Sequence, residues 1–174
     1  ADHVREFAMP RVVLATGATW RRDGVGRAHN LPIVGADGAN GKTARLAGID
    51  VRLLHGVALE GNVSPPGGVP EKWHETMGFD FGGLPGGYAW VFPKADHLNV
   101  GLGGWRHVGP ALRDSLDQFV RSHGFEPRAM WGIKGHHLPL RQAGSPLVDG
   151  NVALVGDAAG LLDPLTGEGI FAAF

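Results

Sequence analysis

The stretch that decides the fold is Asn151-Val152-Ala153-Leu154-Val155-Gly156-Asp157-Ala158-Ala159-Gly160. A short β-branched run, Val152 to Val155, leads directly into Gly156-Asp157. This is the pattern of a buried strand, a tight turn and a helix start. In open α/β sheets ligands gather outside the carboxyl ends of the strands, which is where the turn places Gly156 and Asp157. Asp157 offers a carboxylate to ribose-type hydroxyls. Ala158-Ala159-Gly160 has almost no side chain, so a planar ligand could lie against the backbone. Pro164-Leu165-Thr166-Gly167-Glu168-Gly169-Ile170 then reads as a loop entering a further helix, whose free N–H groups would stabilise partial negative charge. The plainer alternative is an Asp157 helix cap followed by a loop.

Upstream, Val12 to Ala15 reads as a buried strand closed by Thr16-Gly17. Residues 19–30 read as a loop, and Leu31 to Val34 as a second apolar run closed by Gly35-Ala36-Asp37-Gly38. Lys42 to Ala47 is expected to be a short helix capped by Gly48, and residues 51–63 a strand. Gly86-Gly87-Tyr88-Ala89-Trp90-Val91-Phe92-Pro93 places bulky rings at every second position, so Tyr88, Trp90 and Phe92 share one face of a strand. A turn at 94–97 returns the chain through Leu98 to Leu102, completing a hairpin. Pro110 to His123 is expected to be a helix with an apolar stripe of Leu112, Leu116, Phe119 and Val120, ended by Gly124. His136 to Leu140 reads as one more strand.

The 174 residues suit one domain, or one domain with a remnant of another, and are enough to bury a core. Net charge is -1 with no basic excess, which argues against nucleic acid as a partner. With no cysteine, disulfides, thiolate metal sites and Cys nucleophiles are excluded. No stretch reaches the roughly 20 apolar residues of a membrane span, and no signal peptide is read at the start. Glycine is abundant, 29 residues, well above the usual level of about 7%. Either many tight turns or close backbone approach to a ligand would account for it. His136 and His137 are adjacent and would point to opposite faces of a strand, and His74-Glu75 lacks a second His at zinc-helix spacing, so no metal site is expected.

Gly156-Asp157-Ala158-Ala159 with Pro164 to Ile170 resembles the second FAD-contact motif of flavoproteins built like aromatic hydroxylases and geranylgeranyl reductases. The resemblance implies that Gly156, Asp157 and Ala158 approach the ribityl or ribose part of FAD. It also implies that Pro164, Gly167, Glu168, Gly169 and Ile170 line the isoalloxazine ring, near the N1 and O2 atoms that carry negative charge when the flavin is reduced. Val34-Gly35-Ala36-Asp37-Gly38-Ala39-Asn40 resembles the Asp-Gly motif of the same superfamily, which implies that Asp37 and Gly38 lie near the cofactor phosphates. Tyr88-Ala89-Trp90-Val91-Phe92-Pro93, followed after seven residues by Gly101-Leu102-Gly103, is similar to the substrate-side motif of geranylgeranyl reductases. Tyr88, Trp90, Phe92, Pro93, Gly101 and Gly103 are thereby implied to line a substrate cavity. An aromatic face suits a flat ring or a prenyl chain, each buried CH₂ being worth about 0.8 kcal/mol. Packing of those rings beneath the helix at 110–123 is the alternative.

The opening resembles a different group. Arg11 to Trp20 with Arg21-Arg22-Asp23-Gly24-Val25-Gly26-Arg27 is similar to part of the trimethylamine dehydrogenase and dienoyl-CoA reductase flavoproteins, which implies a junction near Leu31 to Val34. The family's Gly-x-Gly-x-x-Gly turn, whose helix N-terminus holds the FAD pyrophosphate, is not found. Gly24-Val25-Gly26 lacks its third glycine, and Gly101-Leu102-Gly103-Gly104 is not followed by a βαβ helix. The chain is therefore expected to be a C-terminal part of its parent, lacking the N-terminal βαβ unit and weakened in FAD binding.

The expected fold is α/β, a partial FAD-binding fold of the aromatic-hydroxylase type with an antiparallel substrate-side sheet. Residues 1–33 would be a nucleotide-binding remnant, 34–50 and 145–174 the FAD portion, and 51–144 the substrate side. The resemblance implies an oxidoreductase that reduces carbon–carbon double bonds of a polyprenyl lipid, with FAD as cofactor and NADPH or another carrier as electron donor. A cytoplasmic enzyme fits, and its lipid substrates imply peripheral contact with a membrane surface. The alternatives are a flavin-dependent hydroxylase and a truncated module that binds no FAD alone. Asp163 and Glu168 stand near the flavin loop, but no catalytic acid is assigned.

Overall fold

The computed structural model describes residues 13–15 and 32–169. In chain order the elements are β1 (Val13–Ala15), β2 (Ile33–Gly35), α1 (Thr43–Ala47), β3 (Leu53–Val63), β4 (Gly78–Asp80), β5 (Tyr88–Pro93), β6 (Leu98–Trp105), α2 (Leu112–Ser122), β7 (Trp131–Arg141), β8 (Val148–Asp149) and β9 (Val152–Leu154). They fall into two units: Ala1–Leu54 with Leu138–Phe174, and His55–His137.

In the first unit the strand order is β1-β2-β9-β8. β1, β2 and β9 run parallel, with Gly35 opposite both Ala15 and Leu154, and β8 is antiparallel to β9. Buried Ile49, Leu154 and Ala159 form its core, with Ala44, Ala47, Val51 and Leu147 packed against them. α1 is short because both ends are fixed locally. Asp37 Oδ2 accepts the N–H groups of Lys42 (2.6 Å) and Thr43 (3.0 Å) at its start. Gly48 closes it in the left-handed region, φ 74°, donating to the Ala44 and Arg45 carbonyls.

The second unit is built on an antiparallel sheet ordered β4-β5-β6-β3-β7. Tyr88↔Gly103, Trp90↔Gly101 and Phe92↔Asn99 face each other between β5 and β6. Gly101↔Glu60 and Asn99↔Asn62 continue the rows into β3. Ala89, Val91, Leu98, Val100 and Leu102 are buried together with Leu112, Leu116, Phe119 and Val120 of α2. The helix therefore packs its expected apolar stripe on one face of the sheet. Alternation then sends Tyr88, Trp90 and Phe92 to the opposite face.

Several elements differ from the sequence expectation. α2 begins at Leu112, and Pro110, which has no N–H to give, lies in a preceding 3-10 turn, Arg106–Ala111. β6 runs on to Trp105 through two further glycines, and β7 starts at Trp131 rather than His136. Residues 131–137 of β7 are all exposed, so no apolar alternation marks them. β4 and β8 were not expected; with three and two residues, they are too short to show a period. The strand expected at Val12 to Ala15 is described from Val13. The remaining readings on residues 1–12 and 16–31, which carry the resemblance to the second flavoprotein group, lie outside the described residues.

Candidate functional site

The carboxyl ends of β2 and β9 lie side by side, and Val155 donates its N–H to the Gly35 carbonyl at 3.0 Å. Asp37-Gly38 follows one strand and Gly156-Asp157-Ala158 the other, so two of the expected segments meet at one sheet edge. This is the position where open parallel sheets bind ligands. The expected helix start at Gly156 is a single 3-10 turn, Gly156–Ala159, closed by Gly160 at φ 68°. Gly160 has no substitute: a Cβ there would approach the Arg141 N–H nitrogen to 2.9 Å and meet Leu53. Its carbonyl accepts that same N–H at 2.7 Å.

Beyond the turn, the loop folds back on itself. Asp163 Oδ1 accepts the N–H groups of Leu165 (3.0 Å) and Thr166 (2.7 Å) and the Thr166 hydroxyl (2.9 Å). Asp163 also donates its N–H to the Glu168 carbonyl, and Gly167 donates to the Asp163 carbonyl. The hydrogen bond from the Thr166 N–H, then that from its hydroxyl, holds the Asp163 carboxyl below the usual carboxylate range. The N–H groups of Leu165 and Thr166 are thereby bound within the loop, and Asp163 is a capping side chain whose ionised form is favoured. Gly169 lies against the Asp157 carboxylate: a Cβ there would stand 3.3 Å from Cγ and oblige the side chain to turn aside.

Arg141, Gly160, Asp163, Pro164, Thr166 and Glu168 line a cavity of about 630 Å³. Arg141 carried no sequence signal. One of its terminal nitrogens donates to the Ser145 carbonyl, while Nε is buried without a partner among the described residues. Asp37 Oδ1 is likewise buried and unpartnered there, its other oxygen being taken by α1. A buried, unpartnered guanidinium nitrogen on a residue lining this cavity fits the ring side of a flavin, where negative charge needs a donor. Asp37, Gly38, Gly156, Asp157, Ala158, Pro164, Gly167, Glu168 and Gly169 all belong to this unit, whereas Ile170 lies outside the described residues.

In the second unit, the expected substrate residues form an aromatic face. Trp90 and Phe92 stack at 6.0 Å and 24°, and Tyr88 sits 5.9 Å from Trp90. Phe79, opposite Trp90 on β4, and Phe81 extend the face; they lie 5.9 and 5.6 Å from Tyr88. These two rings escaped the sequence reading, although Phe79-x-Phe81 has the period of a strand face. They are 48% and 65% exposed, whereas Val91 on the core side is 1% exposed. The rings are therefore not packing beneath α2, and that alternative is set aside. Trp90 lies down over Gly101: a Cβ at 101 would come within 2.5 Å of Trp90 Cε2 and 2.8 Å of Cη2. Gly103 faces Tyr88, and Pro93 ends the strand opposite Leu98. Glu60 Oε1, across β6 from Trp90, accepts a hydrogen bond from His136 Nε2 at 2.9 Å. Among the described residues, no group of three His, Asp or Glu could hold a metal ion, and no helix is long and apolar enough to cross a membrane.

Residues 71–133 match the geranylgeranyl reductase catalytic domain. The chain is 38% identical over 144 residues to the digeranylgeranylglycerophospholipid reductase of Methanothrix thermoacetophila, covering 79% of this chain and 36% of that protein. Its fold is similar to the crystal structure of a geranylgeranyl bacteriochlorophyll reductase-like protein from Thermoplasma acidophilum, with TM-score 0.70, 28% identity, and 82% and 37% of the two chains covered. A probable FAD-dependent monooxygenase from Pseudomonas aeruginosa shares the fold at TM-score 0.56 and 21% identity, over 82% of this chain and 42% of that one. The chain thus spans about a third of the length of the relatives it matches. These matches support the geranylgeranyl reductase family, and the α/β class with an antiparallel sheet is that of its flavoprotein neighbours.

Proposed function

We propose that this chain carries the substrate sheet and the ring side of the cofactor site of an FAD-dependent oxidoreductase, one that reduces carbon–carbon double bonds of a polyprenyl lipid. The observation that carries the proposal is the aromatic face. Five rings and a glycine-bearing strand stand on the side of the sheet that the core helix leaves open, and a hydrocarbon chain gains by covering such a surface. A hydroxylase would share the turns at Asp37 and Asp157 but has no need of this face.

FAD, when bound, supplies hydride chemistry. Asp157 and the backbone of residues 156–169 would hold its ribityl and ring portions, with Arg141 presenting a donor toward the ring. Asp163 keeps the loop closed and ionised, so it serves the site by shape. NADPH as electron donor, a membrane surface as the place where substrate is met, and a trimethylamine dehydrogenase-like origin for residues 1–33 are further parts of the proposal. The first test is titration of the chain with FAD, followed by flavin absorbance and fluorescence, and then titration with geranylgeraniol. Micromolar or tighter binding of both supports the reading. A chain folded by circular dichroism that takes up neither at high micromolar concentration refutes it for the chain by itself and favours a module that acts only within a longer polypeptide.

A further inference from the structure

We infer that Asn99 is a positioning residue for Trp90: with Asn62, it holds the indole down as the floor on which a polyprenyl chain packs. The inference rests on the proposed lipid-binding role of the aromatic face. A side chain on a strand ordinarily stands away from the sheet. Trp90 can lie over β6 because position 101 has no Cβ, but the bare glycine leaves its orientation open. A polar bond sets it. Trp90 Nε1 donates to Asn99 Oδ1 at 2.9 Å, and Asn99 Nδ2 donates onward to Asn62 Oδ1 at 3.2 Å. The indole N–H can only donate, so the Asn99 oxygen is the atom presented to it and the amide nitrogen is left to bond Asn62. Asn99 stands between Phe92 and Asn62 in one cross-strand row, and Trp90, Gly101 and Glu60 form the next row on the same face.

The reason for such a relay lies in what would cover the ring. On a wet surface an indole N–H can turn to water, so an amide partner contributes only the modest net worth of an exchanged hydrogen bond. Beneath a hydrocarbon chain that water is lost and the lipid offers no acceptor, so an unpaired N–H would be penalised at the moment of binding. Asn99 removes that penalty in advance. Its effect should therefore appear in lipid affinity more than in the stability of the free chain.

The test uses the ¹⁵N-labelled chain and geranylgeraniol delivered in detergent. Solvent exchange of the Trp90 indole N–H, assigned with Trp90→Phe, is measured in the wild type and in Asn99→Leu. Lipid affinity is measured in both and in the Trp90→Phe background. The expected result is a protected indole N–H that becomes fast-exchanging in N99L, with affinity weakened about tenfold. In W90F, which keeps a flat ring but has no N–H, the same substitution should change affinity by less than about twofold. Equal exchange in wild type and N99L, or an equal loss of affinity in both backgrounds, overturns the inference. If the wild type binds no geranylgeraniol while its indole exchange still depends on Asn99, the lipid role of the face fails and the hold on Trp90 stands.

Discussion

Gly101→Ala is the substitution whose cost the structure defines most closely. The new methyl group would fall within 2.5–2.8 Å of Trp90 Cε2 and Cη2, a separation that atoms do not tolerate. β6 cannot retreat, because Gly101 is flanked by Trp90 on β5 and Glu60 on β3. The indole must lift instead. Lifting breaks its bond to Asn99, worth about 1 kcal/mol, and its stack on Phe92, worth about 0.5–1.5 kcal/mol. Against this, replacing a glycine at ordinary φ narrows the unfolded ensemble and returns about 0.4–1 kcal/mol. The loss wins, with a net destabilisation of about 0.5–2 kcal/mol. Urea unfolding of the two proteins measures it, and near-ultraviolet circular dichroism reports the change in the tryptophan environment. The double variant with Trp90→Ala supplies the control, since with the ring gone the added methyl group should cost nothing further. A G101A protein as stable as wild type with an unchanged tryptophan signal, or an equal cost of the methyl group with and without Trp90, would refute the reasoning.

Three further outcomes follow from the same geometry. Leu116→Ala removes a side chain that is 0% exposed at the α2–sheet contact and should cost about 2–5 kcal/mol in urea unfolding. Gly160→Ala, forced to φ 68° against the Arg141 backbone, should cost more than about 1 kcal/mol and weaken FAD affinity, read by flavin fluorescence. The depressed pKa of Asp163 means that its contribution to loop closure is present above the ordinary carboxylate range and is lost as the pH falls from about 4 downward through its lower folded value. Amide exchange of Leu165 and Thr166 should accelerate over that window, and Asp163→Asn should flatten the dependence.

What the sequence disclosed followed from local chemistry. Gly48 and Gly124 punctuated the helices, the Leu112-Leu116-Phe119-Val120 stripe carried a full helical period, and Tyr88-x-Trp90-x-Phe92 carried a strand period strong enough to assign a face. Which face it would be depended on α2 taking the other one, a long-range fact. The first half of β7 was missed because an edge strand exposed on both sides has no apolar alternation to read. Arg141 was missed because its place depends on the Gly160 carbonyl and on Ser145, neither of which marks it in sequence. The internal bonding of the loop at 163–169 was not legible, because whether a carboxylate claims N–H groups two and three residues on is a contest that spacing alone does not decide.

The first unit is assembled from both sides of the second: Ile33 pairs with Val152, and the whole of His55–His137 lies between them. Closing that loop costs entropy that no local contact repays, whereas the hairpins and α2 of the intervening segment need only near neighbours. During synthesis that segment can collapse as soon as it emerges, while β2 waits for β9. The β2–β9 edge, where the candidate cofactor residues stand, thus forms only after the whole segment between its two strands has been made. A chain halted between Arg141 and Val152 would hold a finished apolar platform but no β2–β9 edge.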